Sequence, residues 1–202
     1  SLKEFIIPES ITSIGCFSFK DCKSLEKIII PQSIESIGIS AFKGCSLLKQ
    51  IVLNCLITEI KDNCFEGCSS LEEIKIPSSI KLIGNYSFKN CSSLTQVDIP
   101  ISVTEIGRNC FEGCSLLTQI YIPSSITFIR ELIFIGCTSL TGVSIPSSYK
   151  KLFLSRYLGI DKKKVNLKKN YKHHIFTNKQ MLNYINSSFN SIINSRYLGI
   201  DK

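Results

Sequence analysis

The ten cysteines are the side chains of this sequence best equipped for chemistry, and all of them fall within residues 1–149. Six of them, Cys22, Cys45, Cys68, Cys91, Cys114 and Cys137, recur every 23 residues. Thiols at fixed spacing can ligate a metal, pair as disulfides or form a redox centre. Metal sites normally use close Cys-x₂-Cys pairs or a nearby His. Here the closest pairs, Cys64/Cys68 and Cys110/Cys114, are separated by three residues, and residues 1–149 contain no His. Disulfides need Cβ atoms about 3.8 Å apart, whereas neighbouring parallel strands lie about 4.8 Å apart. The cysteines on the 23-residue grid are therefore read as small buried hydrophobes. Cys16 and Cys55 lie off the main grid and are expected to be exposed. Thiol catalysis also lacks a base, because the only histidines, His173 and His174, lie near the C-terminus. With no Ser-His-Asp set, phosphate loop or paired carboxylates in a credible setting, the chain is expected to be no enzyme and to need no cofactor and no metal.

The other chemical feature is charge. The chain has 202 residues and a net charge of +8, unevenly placed. Residues 1–149 hold 12 basic and 14 acidic side chains, a balance of −2, and residues 150–202 hold 12 and 2, a balance of +10. Lys162, Lys163, Lys164, Lys168, Lys169 and Lys172 form the basic core of the second part. Such a cluster can hold an anionic membrane surface, or less readily nucleic acid, without reading sequence. The competing reading is a solvated tail. Residues 178–195 place Met181, Leu182, Ile185, Phe189, Ile192 and Ile193 at helical spacing, which suggests a helix capping the preceding domain. The octapeptide at 155–162 is repeated at 195–202, a duplication with no chemical account. Asn85, Asn90 and Asn186 begin sequons for N-glycosylation. No transmembrane segment or signal peptide is visible. The chain starts at Ser1 without Met and reads as a fragment, so a missing targeting signal carries no weight.

The elements that must position these groups follow from the 23-residue period. Pro8, Pro31, Pro77, Pro100, Pro123 and Pro146 share one grid position, with Asn54 in the vacant place. Leu2, Leu25, Leu48, Leu71, Leu94, Leu117 and Leu140 share another, and Phe19, Phe42, Phe65, Phe88, Phe111 and Phe134 a third. Within one unit, Ile28-x-Ile30 predicts a short strand that Pro31 ends, since proline has no N–H to continue a ladder. Ile34 and Ile37 before Gly38 predict a second inward segment. Ala41, Phe42 and Cys45 fit a helical or 3₁₀ turn with its apolar side inward. A single unit has no second face to bury against, and stacked neighbours supply one. Residues 1–149 are thus expected to form a curved α/β solenoid of about six and a half units. Parallel strands would line its concave face and short helical or 3₁₀ turns its convex face. Residues 150–202 would be a separate basic segment.

The pattern Leu-x-x-Ile-x-Ile-Pro…Ile-Gly…Phe-x-Gly-Cys resembles the BspA-like, Treponema-type class of leucine-rich repeat proteins over residues 1–148. Two units depart from it, with Asn54 and Lys61 in place of Pro and Gly, and Arg130 in place of Gly. The asparagine ladder of other leucine-rich repeats is absent, and Ser10, Ser33, Ser79, Ser102, Ser125 and Ser148 sit near its position. The resemblance implies a leucine-rich-repeat fold and suggests binding at a cell surface or in host contact, not an enzyme.

Where a partner would bind follows from strand alternation. The residue between two inward aliphatics faces outward. That column reads Ile6, Ile29, Val52, Lys75, Asp98, Tyr121 and Ser144, and its neighbour reads Glu4, Lys27, Gln50, Glu73, Gln96, Gln119 and Gly142. The polar half, Glu73, Lys75, Gln96, Asp98, Gln119 and Tyr121, is the candidate site for a protein or glycan, with Tyr121 as anchor. The exposed aliphatics Ile6, Ile29 and Val52 suggest a buried edge, a missing cap or an apolar contact. The leading reading is a non-catalytic binding module at a cell surface or membrane. The alternative is a cytoplasmic scaffold held at anionic membrane or nucleic acid by its basic tail.

Overall fold

A computed structural model describes residues 3–126, 128–129, 133–146 and 173–175. The period becomes a stack of coils. Seven strands recur at the Leu-x-x-Ile-x-Ile phase: β1 (Glu4–Ile6), β3 (Lys27–Ile30), β5 (Gln50–Leu53), β7 (Glu73–Lys75), β9 (Gln96–Asp98), β11 (Gln119–Tyr121) and β13 (Gly142–Pro146). Between them run two-residue strands: β2 (Ser13–Ile14), β4 (Ser36–Ile37), β6 (Glu59–Ile60), β8 (Leu82–Ile83), β10 (Glu105–Ile106) and β12 (Phe128–Ile129). Pairing is parallel with a register of 23, as in Phe5↔Ile28 and Ile74↔Val97. The last strand, β14 (His173–Ile175), instead runs antiparallel to β13.

The core is a set of rows, each made by one grid position. Phe42, Phe65, Phe88 and Phe111 are fully enclosed, and consecutive rings stack near-parallel with centroids 5.4–5.6 Å apart. Leu25, Leu48, Leu71, Leu94 and Leu117 form a second buried row, and Ile37, Ile60, Ile83 and Ile106 a third.

The helical half of the expected architecture is not present. Among the described residues there is no helix, and each turn segment is a run of hydrogen-bonded turns. The backbone explains why. Left-handed residues recur four apart in each coil, at Ser40 and Gly44, Asn63 and Gly67, Tyr86 and Asn90, and Asn109 and Gly113. Only three residues lie between each pair, less than one α-helical turn. The N–H groups alternate in use. Ala41, Lys43 and Cys45 donate back to Gly38, Ser40 and Phe42, while Ser40, Phe42 and Gly44 donate across to Asp62, Cys64 and Glu66 of the next coil. A helix would turn all of these donors inward on itself and leave none for the stack. The fold is therefore a parallel β-solenoid with turn corners.

The coil containing Asn54 and Lys61 departs locally. At Pro8, Pro31, Pro77, Pro100 and Pro123 the proline carbonyl accepts the N–H three residues on and closes a turn. Asn54 has an N–H of its own, and it donates to Ile30 O at 3.1 Å, extending the ladder of β5. The inward-outward alternation slips by one as a result: Cys55 is buried and Leu56 is 70% exposed. The expectation of an exposed Cys55 is thereby overturned, whereas Cys16 is exposed. Restoring the repeat pattern with Asn54→Pro should destabilise the protein by about 1 kcal/mol, because it removes this hydrogen bond. Urea denaturation of the variant checks it.

Lys61 has a parallel effect. Gly38, Gly84 and Gly107 lie so close to the preceding coil that an added Cβ would meet backbone atoms at 2.3–2.8 Å. Each donates its N–H to an Ile carbonyl of that coil at 2.8 Å. Lys61 stands at the same place with a Cβ, and there the minor ladder is interrupted: β4 pairs only with β2, and β6 only with β8.

Candidate functional site: the outward strand face

Alternation on the strands separates structural from available side chains. In β7, β9 and β11 the middle residue, Ile74, Val97 or Ile120, is buried, and both flanking residues are exposed. The six candidate residues are those flanking residues, so the structure places all of them on one face. Glu73 is in register with Gln96, and Lys75 with Asp98. Gln119 and Tyr121 lie on β11, where Tyr121 is 47% exposed.

The face is not flat. A groove of about 610 Å³ runs across β5, β7 and β9, with Val52, Asn54, Glu73, Lys75, Gln96 and Asp98 among its lining residues. Gln119 and Tyr121 lie outside this lining. Lys75 and Asp98 form no ion pair among the described residues, although they are register neighbours, so both charges remain available to a ligand. Sequence reasoning missed Asn54 as a groove residue, because its grid position is elsewhere occupied by proline. A second depression of about 530 Å³ lies toward the N-terminal end and is lined by Ile6, Ile29, Pro31, Glu4, Glu9 and Lys27. Ile6 is 87% exposed there. The lysines Lys162, Lys163, Lys164, Lys168, Lys169 and Lys172, the expected helix at 178–195 and the repeated octapeptide lie outside the described residues.

The thiols serve the interior. All ten cysteines are free. Cys45, Cys68, Cys91, Cys114 and Cys137 each direct Sγ at the phenylalanine carbonyl 26 residues earlier, at 3.0–3.2 Å. They are hydrogen-bond donors as well as small hydrophobes, a role that spacing alone did not reveal. Among the described residues no cluster of His, Cys, Asp and Glu could hold a metal. Burial pushes the thiols of Cys45, Cys110 and Cys137 up to about 12. It raises those of Cys64, Cys68, Cys91 and Cys114 as well.

A thiol whose pKa is higher folded than unfolded supports the fold fully below its unfolded value, near 9.0. That support is lost as pH rises through the folded value. Thermal stability should therefore fall steadily from about pH 9 toward 12, which calorimetry across that range checks. At pH 8 a thiol reagent should modify Cys16 quickly and the cysteines on the phenylalanine side only on unfolding.

A polar ladder also escaped the sequence reading. Asp62 accepts from the Asn85 N–H at 2.7 Å and from its Nδ2 at 3.1 Å, and Asn85 Oδ1 accepts from the Arg108 N–H at 3.0 Å. Because Asp62, Asn85 and Arg108 are three residue types at one grid position, no single-letter repeat signals it.

Parallel coils of 23 residues, with a main strand row, a minor ladder, inward aliphatic rows and a solvent-facing strand surface, define a solenoid of the leucine-rich-repeat class. The model of the BspA type leucine-rich repeat region matches in six copies, over residues 1–116 and 58–183. The chain belongs to that family. It is similar to a leucine-rich repeat protein from Bacteroides ovatus, with 38% identity and a TM-score of 0.66, covering 73% of this chain and 39% of that one. It is also similar to a leucine-rich cell surface protein from Faecalibacterium prausnitzii (33% identity, TM-score 0.65, 71% of this chain and 38% of that). The leucine-rich repeat protein of T. pallidum is 27% identical with a TM-score of 0.60, covering 76% of this chain and 82% of that one. This chain therefore spans about two fifths of the length of the first two. No curated protein matches the sequence.

Proposed function

We propose that this chain is a non-catalytic binding module that takes a protein or glycan partner on its strand face, at a cell surface. The observation that carries this reading is the exposed groove across β5, β7 and β9, with Glu73, Lys75, Gln96 and Asp98 in it. None of these four side chains is buried, so each is available for recognition. Solenoids use such extended faces for partners, and exposed aromatics such as Tyr121 often anchor them. The description of the Faecalibacterium relative as a cell surface protein supports the compartment.

The test is a triple variant, Lys75→Ala, Asp98→Ala and Tyr121→Ala, compared with the unaltered chain. The readout is retention on immobilised extracellular-matrix proteins and on a glycan array. Removing three exposed side chains should leave the circular dichroism spectrum and urea midpoint nearly unchanged. Retention should fall at least tenfold on whichever surface captures the unaltered chain. Unchanged retention would remove the strand face from the reading.

A further inference from the structure

Two sequons stand five residues apart in the same coil, Asn85-Tyr86-Ser87 and Asn90-Cys91-Ser92, and the fold treats them differently. Asn85 is threaded into the ladder between Asp62 and Arg108, with its N–H, Nδ2 and Oδ1 all engaged. Asn85 is half-buried, and a sugar on its Nδ2 would have to displace the bond to Asp62. Its sequon hydroxyl, on Ser87, is fully buried and lies 3.3 Å from Cys110 Sγ. Asn90 is the opposite case. It is exposed, it sits at the left-handed end of the turn, with φ 59°, and its side chain makes no hydrogen bond among the described residues. Its Oδ1 lies over Gly113, within 2.3 Å of where a Cβ there would sit. The glycine gives the carboxamide its place on the surface.

We propose that Asn90 is an N-glycan acceptor and that a glycan on Asn85 is incompatible with the folded chain, a site assignment that rests on the cell-surface reading for its exposure to a secretory pathway. In the reaction, Asn90 Nδ2 forms a bond to the anomeric carbon of an oligosaccharide carried on a polyprenyl diphosphate. The bond from that carbon to the diphosphate oxygen breaks, the lipid diphosphate leaves with the electron pair, and one amide proton passes to base. No oxidation or reduction occurs. Ser92 Oγ, the hydroxyl of this sequon, donates to Ser69 O at 3.2 Å in the folded chain. Transfer therefore precedes the docking of this coil on its predecessor. Chains modified at Asn85 at that stage cannot complete the Asp62–Asn85–Arg108 ladder, whereas chains modified at Asn90 can. The turn carrying Asn90 lies across the core from the outward face of β9, with Phe88, Leu94 and Val97 buried between them. The glycan therefore leaves the strand-face groove open.

The test translates the full 202-residue chain behind a cleavable secretory leader in the presence of endoplasmic-reticulum microsomes. The protease-resistant product is then isolated and its glycans mapped by mass spectrometry. Supplying the leader and membranes makes the result independent of where the chain normally resides, so it can fail or succeed separately from the capture experiment on the strand face. The expected result is glycan on Asn90 and none on Asn85 in the protease-resistant fraction. The Asn90 mass step should be lost in Asn90→Gln and equally in Ser92→Ala, which keeps the acceptor amide. The Asn85→Gln/Asn186→Gln variant should retain one glycosidase-sensitive step. An unmodified Asn90, or a glycan mapped to Asn85 in folded protein, would overturn the assignment.

Discussion

Phe88→Ala is expected to lower the unfolding free energy by about 3–5 kcal/mol, among the large losses of the buried phenylalanine row. Phe88 is fully buried and stacks on both neighbours of its row, 5.4 Å from Phe65 and 5.5 Å from Phe111 between centroids. Removing the ring costs its own transfer free energy and leaves a cavity that the neighbouring rings cannot fill, since each is held by its own coil. The carbonyl of Phe88 also accepts from Cys114 Sγ at 3.2 Å, so a shift of this backbone would disturb the next coil too. Urea titration followed by circular dichroism reads the loss as a lower midpoint. Phe17→Ala is the control. Phe17 lies two residues from the row and is 54% exposed, and its truncation should change stability by less than about 0.5 kcal/mol.

Gly107→Ala should also produce a large effect, although it adds only one carbon. That carbon would lie 2.4 Å from Asn85 N, 2.5 Å from Gly84 C and 2.7 Å from Asn85 Cα. All three are backbone atoms and cannot rotate away as a side chain would. The coil must lift, and the Gly107 N–H bond to Ile83 O, 2.8 Å long, is lost with it. Overpacking of this kind costs about 1–3 kcal/mol and sometimes more, to which the broken ladder adds. The chain contains its own precedent at Lys61, where the minor ladder stops. Gly67→Ala provides the comparison. Its added Cβ would be 3.6 Å from the nearest atom, an ordinary contact, so only the left-handed φ of 74° opposes it, at a cost of about 1–2 kcal/mol. Hydrogen exchange should show faster opening of the residue-107 amide in Gly107→Ala and no such change in Gly67→Ala.

Much of the fold and the outward placement of the candidate residues were legible in the sequence because both follow from phase within the repeat. The leucine, isoleucine and phenylalanine rows are buried where their grid positions require, and Lys75, Asp98 and Tyr121 face outward because Ile74, Val97 and Ile120 face inward. The turn corners were misread. Ala41, Phe42 and Cys45 have a spacing that a helix would share, and nothing in it reveals that Ser40 and Gly44 are both left-handed. Cys55 was misassigned for a related reason. Its burial depends on Asn54 extending a ladder with Ile30 of the coil before it, a contact between residues 24 apart.

By itself the sequence determined the period, the inward and outward sides of each strand, and the residues that make each core row. These are consequences of burying apolar side chains at every turn of a repeat, and each unit carries that information within its own 23 residues. Only the tertiary structure decided the rest: the non-helical corners, the thiol bonds to phenylalanine carbonyls, the Asp62–Asn85–Arg108 ladder and the two interruptions at Asn54 and Lys61. Each of these turns on where a backbone N–H or carbonyl finds its partner. In a solenoid that partner lies one coil away, so the choice appears only when the coils are stacked.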